Sequence, residues 1–364
     1  MTIHIKGAPN YYACEENILE TLPAKLAELN WTNGLLIHGD ASWKAASPFL
    51  DQIDLPVKRV AYNGHCTHAE AARLANIATE QSAQFIIGTG GGKVLDTAKA
   101  AANEAGLPVI LIPTIVSNCS PWASLSVFYD EAGNFAEYTI FPRSTFMVLV
   151  EPRLLLTTPV PYLIAGIGDT LAKWYEADAL TEKMTDRPLA VQIARNAAKL
   201  CRDVLIAEGD AAILSLQHKR ADSAFLRVAE TVIMAGGMVG GFGDSYGRIA
   251  GAHSIHNGLT RVAATHDQLH GNKVAYGILV QLALEEKFEE IQTLLPIYRK
   301  LGLPTGLQEL GVTENAEQAM KIAAEAAVAP GESIHFMHVS SSDAVMEAMH
   351  KIEAFASTKQ GVKQ

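Results

Sequence analysis

The residues best suited to bind a divalent cation lie between positions 169 and 270 of this 364-residue chain. Asp169 stands in GIGDTLAKWYEA, where Ile164, Ile167, Leu171 and Trp174 form the apolar side of a helix. His253 and His256 are three apart in AGAHSIHNG, on one helical face, and His270 precedes Gly271 at the expected start of the next helix. One carboxylate with two or three imidazoles is a good donor set for a divalent metal, and an open fourth position leaves room for water or substrate. Two of these residues also have a plainer reading. Asp169 can pair with Lys173 one turn on, and His256, ahead of Asn257 and Gly258, can complement the dipole at a helix C-terminus. Periodicity alone does not bring these groups together in space.

A second chemistry sits in the first half, in FIIGTGGGKVLDTAK at residues 85–99. Phe85, Ile86 and Ile87 read as a buried strand, glycines follow at 88, 90, 91 and 92, and Val94, Leu95 and Ala98 repeat at helical spacing. Such a turn lets backbone approach a pyrophosphate, and the N-terminus of the new helix attracts its charge. Two common versions are excluded. Val94 stands where a P-loop needs Ser or Thr beside Lys93, and the glycines do not keep the G-x-G-x-x-G spacing. The bland alternative is a tight strand-to-helix turn that binds nothing.

The elements that must position these groups differ between the halves. Strands are expected at 34–38, 57–62, 85–87, 108–113 and 146–150, with helices between, including one opened by a Thr67/Glu70 capping box. This alternation implies a parallel sheet with a ligand crevice at its carboxyl edge. A polar loop from Thr114 leads to a hairpin with alternating residues at 125–129 and a turn at 131–134. Strand patterns then stop, and helices are expected at 160–182, 188–207, 221–240, 244–258, 271–288, 291–301 and 344–355. The expected division is an α/β domain over 1–157 and an all-α domain over 158–364.

The formal charge of −10 and the lack of a basic stripe argue against a nucleic-acid partner. No leader-like apolar region opens the chain, and no run reads as a membrane span. Four scattered cysteines, without C-x-x-C, fit a reducing cytoplasm.

Five segments, GTGGGKVLDTAKA, PTIVSNCSPWASLSVFYDEAG, GIGDTLAKWYEA, AGAHSIHNGLT and LHGNKVAYGILVQLALEE, occur in an order and spacing that resemble the glycerol dehydrogenase branch of the iron-containing (group III) alcohol dehydrogenases. The resemblance covers essentially the whole chain. It implies the dehydroquinate synthase-like fold, an N-terminal NAD(P)-binding Rossmann-like domain and a helical domain holding a catalytic metal, zinc ahead of iron. It also implies a small-molecule substrate and a homo-oligomer. Carried over by position, the metal ligands fall on Asp169, His253 and His270, with His256 behind them as a catalytic or proton-relay residue. Gly91, Gly92, Lys93 and Asp96 fall along the pyrophosphate, and Thr114, Ser117, Ser124, Leu125, Val127 and Tyr129 along the adenine and nicotinamide path.

Two departures bear on specificity. Where glycerol dehydrogenases of this branch carry a polyol-holding aspartate, this chain has Cys119, with Trp122 nearby replacing a small residue. These positions, with His253 as the third substrate contact, are similar to the hydroxycarboxylate dehydrogenase type, which interconverts 2-oxo and 2-hydroxy acids. Glycerol dehydrogenase is the alternative, and a dehydroquinate synthase-type lyase a distant one. Cys119 also reads as a small packing residue. At the end of the first expected strand, Gly39 takes the place of the ribose-binding aspartate and Asp40 follows it. NAD is expected if Asp40 reaches the ribose, and NADP if Lys44 or Arg59 meets a 2′-phosphate.

Overall fold

A computed structural model describes residues 3–130 and 135–357, so the turn expected at 131–134 lies outside the described residues. Its strands are β1 (Tyr11–Cys14), β2 (Gly34–His38), β3 (Val57–Ala61), β4 (Phe85–Gly90), β5 (Val109–Pro113), β6 (Leu125–Tyr129), β7 (Phe135–Ile140) and β8 (Met147–Val150). Six of these form a parallel sheet in the order β1-β8-β5-β4-β2-β3, and β6 and β7 pair as an antiparallel ribbon. Helices α1 (Leu22–Glu28), α2 (Asp40–Leu50), α3 (His68–Glu80) and α4 (Gly92–Glu104) connect the sheet strands.

Alternation along the strands explains why both faces are covered. Leu35, Ile37, Ile86, Leu111 and Val148 enter one apolar cluster, while Leu36, Phe85, Ile87, Ile110, Ile112 and Leu149 enter the other with Leu22, Leu26, Ala46 and Leu50 of α1 and α2. The chain runs from β2 outward to β3, then returns to place β4 on the other side of β2. The crevice therefore opens between the carboxyl ends of β2 and β4, where the glycine turn and Asp40 lie.

The second half is helical: α5 (Pro152–Leu155), α6 (Val160–Thr181), α7 (Leu189–Gln217), α8 (Ser223–Glu230), α9 (Gly236–Gly243), α10 (Gly251–Leu259), α11 (His270–Leu284), α12 (Phe288–Leu301), α13 (Ala316–Ala327) and α14 (Ser342–Ser357). Leu163, Ile167 and Leu171 of α6 join the same cluster as the inner sheet face, so both halves share one apolar core.

Several local expectations change. Strand β1 and helices α1, α5 and α13 are not among the expected elements. The helix expected at 221–240 is α8 and α9 joined by a π-helical segment at Thr231–Ala235. That expected at 244–258 begins only at Gly251. Asp244 adopts φ 49°, in the left-handed region, and Gly247 lies against the Val239 carbonyl, which ends the preceding helix. Thr67 does cap α3, its Oγ1 accepting from the Glu70 N–H at 3.1 Å. The reciprocal half of the box is replaced, because the Glu70 carboxylate accepts from the Asn63 N–H at 2.9 Å and pairs with Arg73 at 2.7 Å. Against expectation, the 24-residue stretch Ser223–Tyr246 is long and apolar enough to cross a membrane. Its apolar window is 61% buried within the protein, as in a core helix.

Candidate functional site

Helix α6 supplies Asp169, α10 supplies His253 and α11 begins with His270. Glycines bring them together. A Cβ on Gly168 would stand 2.6 Å from the Gly271 carbonyl oxygen, and one on Gly271 would run into the Ala165 carbonyl, so α6 and α11 touch through backbone. This contact sets Asp169 Oδ1 3.1 Å from His270 Nε2 and 3.4 Å from His253 Nε2. One donor atom from each residue lies within 4.8 Å of the others. The His270 side chain is 44% exposed, against 11% for His253 and 5% for Asp169, so the cluster opens on the His270 side.

The donor chemistry fits a cation. His253 Nδ1 lies 2.7 Å from Glu176 Oε2 and donates its hydrogen there, which in a neutral ring leaves the Nε2 lone pair facing the Asp169 carboxylate. Two acceptors turned on each other require positive charge between them. Burial raises the Asp169 pKa, but Lys173 and the two imidazoles outweigh it and hold the carboxyl well below its usual range. Burial lowers the His253 pKa, yet Glu176 and Asp169 hold it up at about 9. The pairing of Asp169 with Lys173 is thus a field effect, the Lys173 ammonium itself donating to the Arg248 carbonyl at 3.4 Å.

Glu176 is a residue that the sequence reading missed. Besides aiming His253, its Oε1 accepts from the N–H groups of Ala250 at 2.7 Å and His253 at 2.9 Å, closing the N-terminus of α10. The available signal was its place seven residues after Asp169, two turns along the same face of an apolar helix. His256, on the same helix as His253, stacks edge-on against His270 with ring centroids 4.2 Å apart and Nε2 2.8 Å from His270 Nδ1. Burial, together with His270, Lys273 and His253, holds the His256 pKa well below its usual value.

The second group of residues gathers at the crevice. Gly91 precedes α4 and Gly92 opens it, and a Cβ on Gly92 would stand 2.6 Å from Asn118 Nδ2. Lys93 is exposed, its Nζ 5.0 Å from the Tyr129 ring centroid. Asp96 points elsewhere: it accepts from Ser120 Oγ at 2.5 Å and the Val127 N–H at 3.0 Å, and pairs with buried Lys99 at 2.9 Å. Lys99 in turn donates to the carbonyls of Ser120, Ala123 and Leu125. Together they fasten the loop and the β6–β7 ribbon to α4. Gly39 is buried at the head of α2, a Cβ there standing 3.0 Å from Tyr62, and Asp40 after it is exposed. Lys44 is exposed, and Arg59 is paired with Asp51 at 3.0 Å.

The loop from Thr114 crosses between the two groups. Thr114 N–H donates to the Gly90 carbonyl at 3.0 Å, and Val116 N–H to Thr158 Oγ1 at 3.2 Å. The backbone of Val116 and Ser117 presses on Gly166 of α6. Cys119 follows within the electrostatic reach of Asp169 and Lys173, and burial raises its thiol pKa. Trp122 is buried, its Nε1–H donating to the Gly7 carbonyl at 2.8 Å and its ring edge-on to Tyr12. Ser124 is buried, its Oγ 3.3 Å from Ser144 Oγ, while Leu125, Val127 and Tyr129 are half-buried on β6.

Comparison with known proteins agrees with this fold. Residues 9–152 match the model of the iron-containing alcohol dehydrogenase family. The chain is 42% identical over 299 residues to hydroxycarboxylate dehydrogenase A of Escherichia coli (strain K12), covering 82% of each chain. It is also 42% identical over 293 residues to glycerol dehydrogenase of Pseudomonas putida, covering 79% of each. Among solved structures, a probable glycerol dehydrogenase from Sinorhizobium meliloti 1021 superposes with a TM-score of 0.89 at 30% identity, covering 98% of this chain and 100% of that one. With matches over this much of its length, the chain belongs to the iron-containing alcohol dehydrogenase family and is a metal-containing oxidoreductase acting on CH–OH groups.

Proposed function

We propose that this enzyme interconverts a small 2-hydroxy acid and its 2-oxo acid with NAD or NADP, at a divalent metal held by Asp169, His253 and His270. The observation that carries the substrate is Cys119. It puts a neutral thiol, its pKa raised by burial, where the resemblance implies a carboxylate in glycerol dehydrogenases. A neutral group removes repulsion against a substrate carboxylate and removes an acceptor for a second hydroxyl. Glycerol is the second reading, favoured by relatives that bear the name glycerol dehydrogenase at the same identity as hydroxycarboxylate dehydrogenase A. Zinc is the metal we favour over iron. We assign the domains to residues 1–157 and 158–364, and the enzyme to a cytoplasmic homo-oligomer.

When bound, metal and nicotinamide supply a Lewis acid for the substrate oxygen and an acceptor for the carbinol hydride. The chain's own groups do the rest. Glu176 aims His253, and Gly168 and Gly271 hold α6 against α11 so that Asp169 and His270 face one another. The first N–H groups of α4 and the Lys93 ammonium receive the pyrophosphate. His256 Nε2, 2.8 Å from His270 Nδ1, holds that ring in place and is the nearest imidazole for a proton leaving the site.

The test is an initial-rate panel on zinc-loaded protein, with 2-oxo acids and NADH or NADPH, beside glycerol and 1,2-diols with NAD or NADP. Turnover of oxo acids supports the Cys119 argument and assigns the coenzyme at once. Turnover of glycerol alone overturns it.

A further inference from the structure

His253 has Glu176 to aim it, and His270 has an anchor of its own that starts farther away. A carboxylate only accepts, so Asn257 must turn its amide nitrogen to Glu332, where Nδ2 lies 3.0 Å from Oε2 and 3.2 Å from Oε1. That leaves Asn257 Oδ1 facing His256 Nδ1 at 3.0 Å. An amide oxygen accepts, so His256 carries its hydrogen on Nδ1 and keeps a lone pair on Nε2. His270 Nδ1, 2.8 Å away, must then donate to it. In the neutral His270 ring the remaining lone pair falls on Nε2, 3.1 Å from Asp169 Oδ1 and inside the donor cluster.

Turning the Asn257 amide over reverses every step. Nδ2 would donate to His256 Nδ1, His256 Nε2–H would donate to His270 Nδ1, and His270 Nε2 would carry a hydrogen bonded to Asp169. A nitrogen that bears a hydrogen binds no metal.

We propose that Glu332 is a positioning residue for the metal site, fixing through Asn257 and His256 the tautomer in which His270 offers Nε2 as a ligand. The residue lies 75 positions beyond Asn257, just before the 3₁₀ turn Ser333–Met337, and is half-buried. It is not one of the three donors, and it reaches His270 through the polarity of the hydrogen-bond chain. The inference rests on the assignment of Asp169, His253 and His270 as ligands.

Both can be tested on the full-length protein with Zn²⁺ as the probe, measuring affinity by chelator competition and histidine tautomers by long-range ¹⁵N–¹H spectra. Glu332→Ala is expected to weaken zinc by about 10- to 100-fold, the range for loss of an outer-shell partner, and to bring His256 and His270 into tautomeric exchange. Adding Asn257→Asp to Glu332→Ala puts an acceptor-only group beside His256 Nδ1 and restores the affinity. Unchanged zinc affinity in Glu332→Ala overturns the proposal, as does a loss that Asn257→Asp fails to restore. If Glu332→Ala does not fold, the zinc-loaded parent protein decides, since a His256 ring with its hydrogen on Nε2 overturns it as well. His270→Ala is the control for the ligand assignment. Zinc retained by that variant removes the metal-site reading itself, whereas zinc lost there and kept in Glu332→Ala removes only the role of Glu332.

Discussion

Whereas the turn before α4 presents the backbone groups of consecutive residues, the donor cluster draws side chains from three helices, with Asp169 and His270 101 positions apart. Consecutive backbone needs only glycine and a helix start. Distant side chains need helices that cross closely, and further groups that aim each ring. The cluster is accordingly backed by residues outside the donor set, among them Gly168, Gly271 and Glu176. The turn is local and tolerant of its surroundings, while the cluster is a long-range assembly whose geometry depends on the supporting residues as well as on the three donors.

Substitutions that act on one site and spare the other sharpen this contrast. Glu176→Ala should have the largest effect, because it frees His253 and orphans the N–H groups of Ala250 and His253. A zinc affinity lower by about 100-fold and a lower Tm are expected, with coenzyme binding, followed by fluorescence titration, unchanged. Loss of coenzyme binding in step with zinc would show that the two sites are not separable. Gly271→Ala comes next, since its methyl group meets the Ala165 carbonyl and forces α6 from α11. A destabilisation of about 1–3 kcal/mol is expected in denaturant titration, together with weaker zinc binding. Unaltered stability would mean that the helices give way freely. In the other direction, Lys93→Ala should raise the coenzyme KM by about tenfold, as expected for one charge-assisted contact, and leave the zinc content as it was. Cys119→Asp should alter neither binding step greatly. It should shift the ratio of kcat/KM values from oxo acids toward glycerol by about tenfold, because the new carboxylate repels an anionic substrate. An unchanged substrate profile would remove Cys119 from the specificity argument.

The same contrast decided what could be read before the structure. Strands such as Phe85–Gly90 announce themselves by composition, and the glycine turn by local spacing. Asp169, His253 and His270 stand out because an acid or imidazole within an apolar helical pattern asks for a partner. Glu176 and Glu332 escaped because a glutamate in a helix or loop ordinarily faces water, and only tertiary contacts show these two hydrogen-bonded to Ala250, His253 and Asn257. The π-helical segment at Thr231–Ala235 and the late start of α10 escaped for a different reason. Both break the 3.6-residue period on which a helix is read from sequence.

The loop from Thr114 to Ser124 is pinned by Lys99 through the carbonyls of Ser120 and Ala123, by Asp96 through Ser120, and by Thr158 through Val116. None of these bonds involves the side chain of Cys119. The path of the loop is therefore set independently of the side chain at position 119, so the residue there can be exchanged without cutting any of the bonds that hold the loop in place.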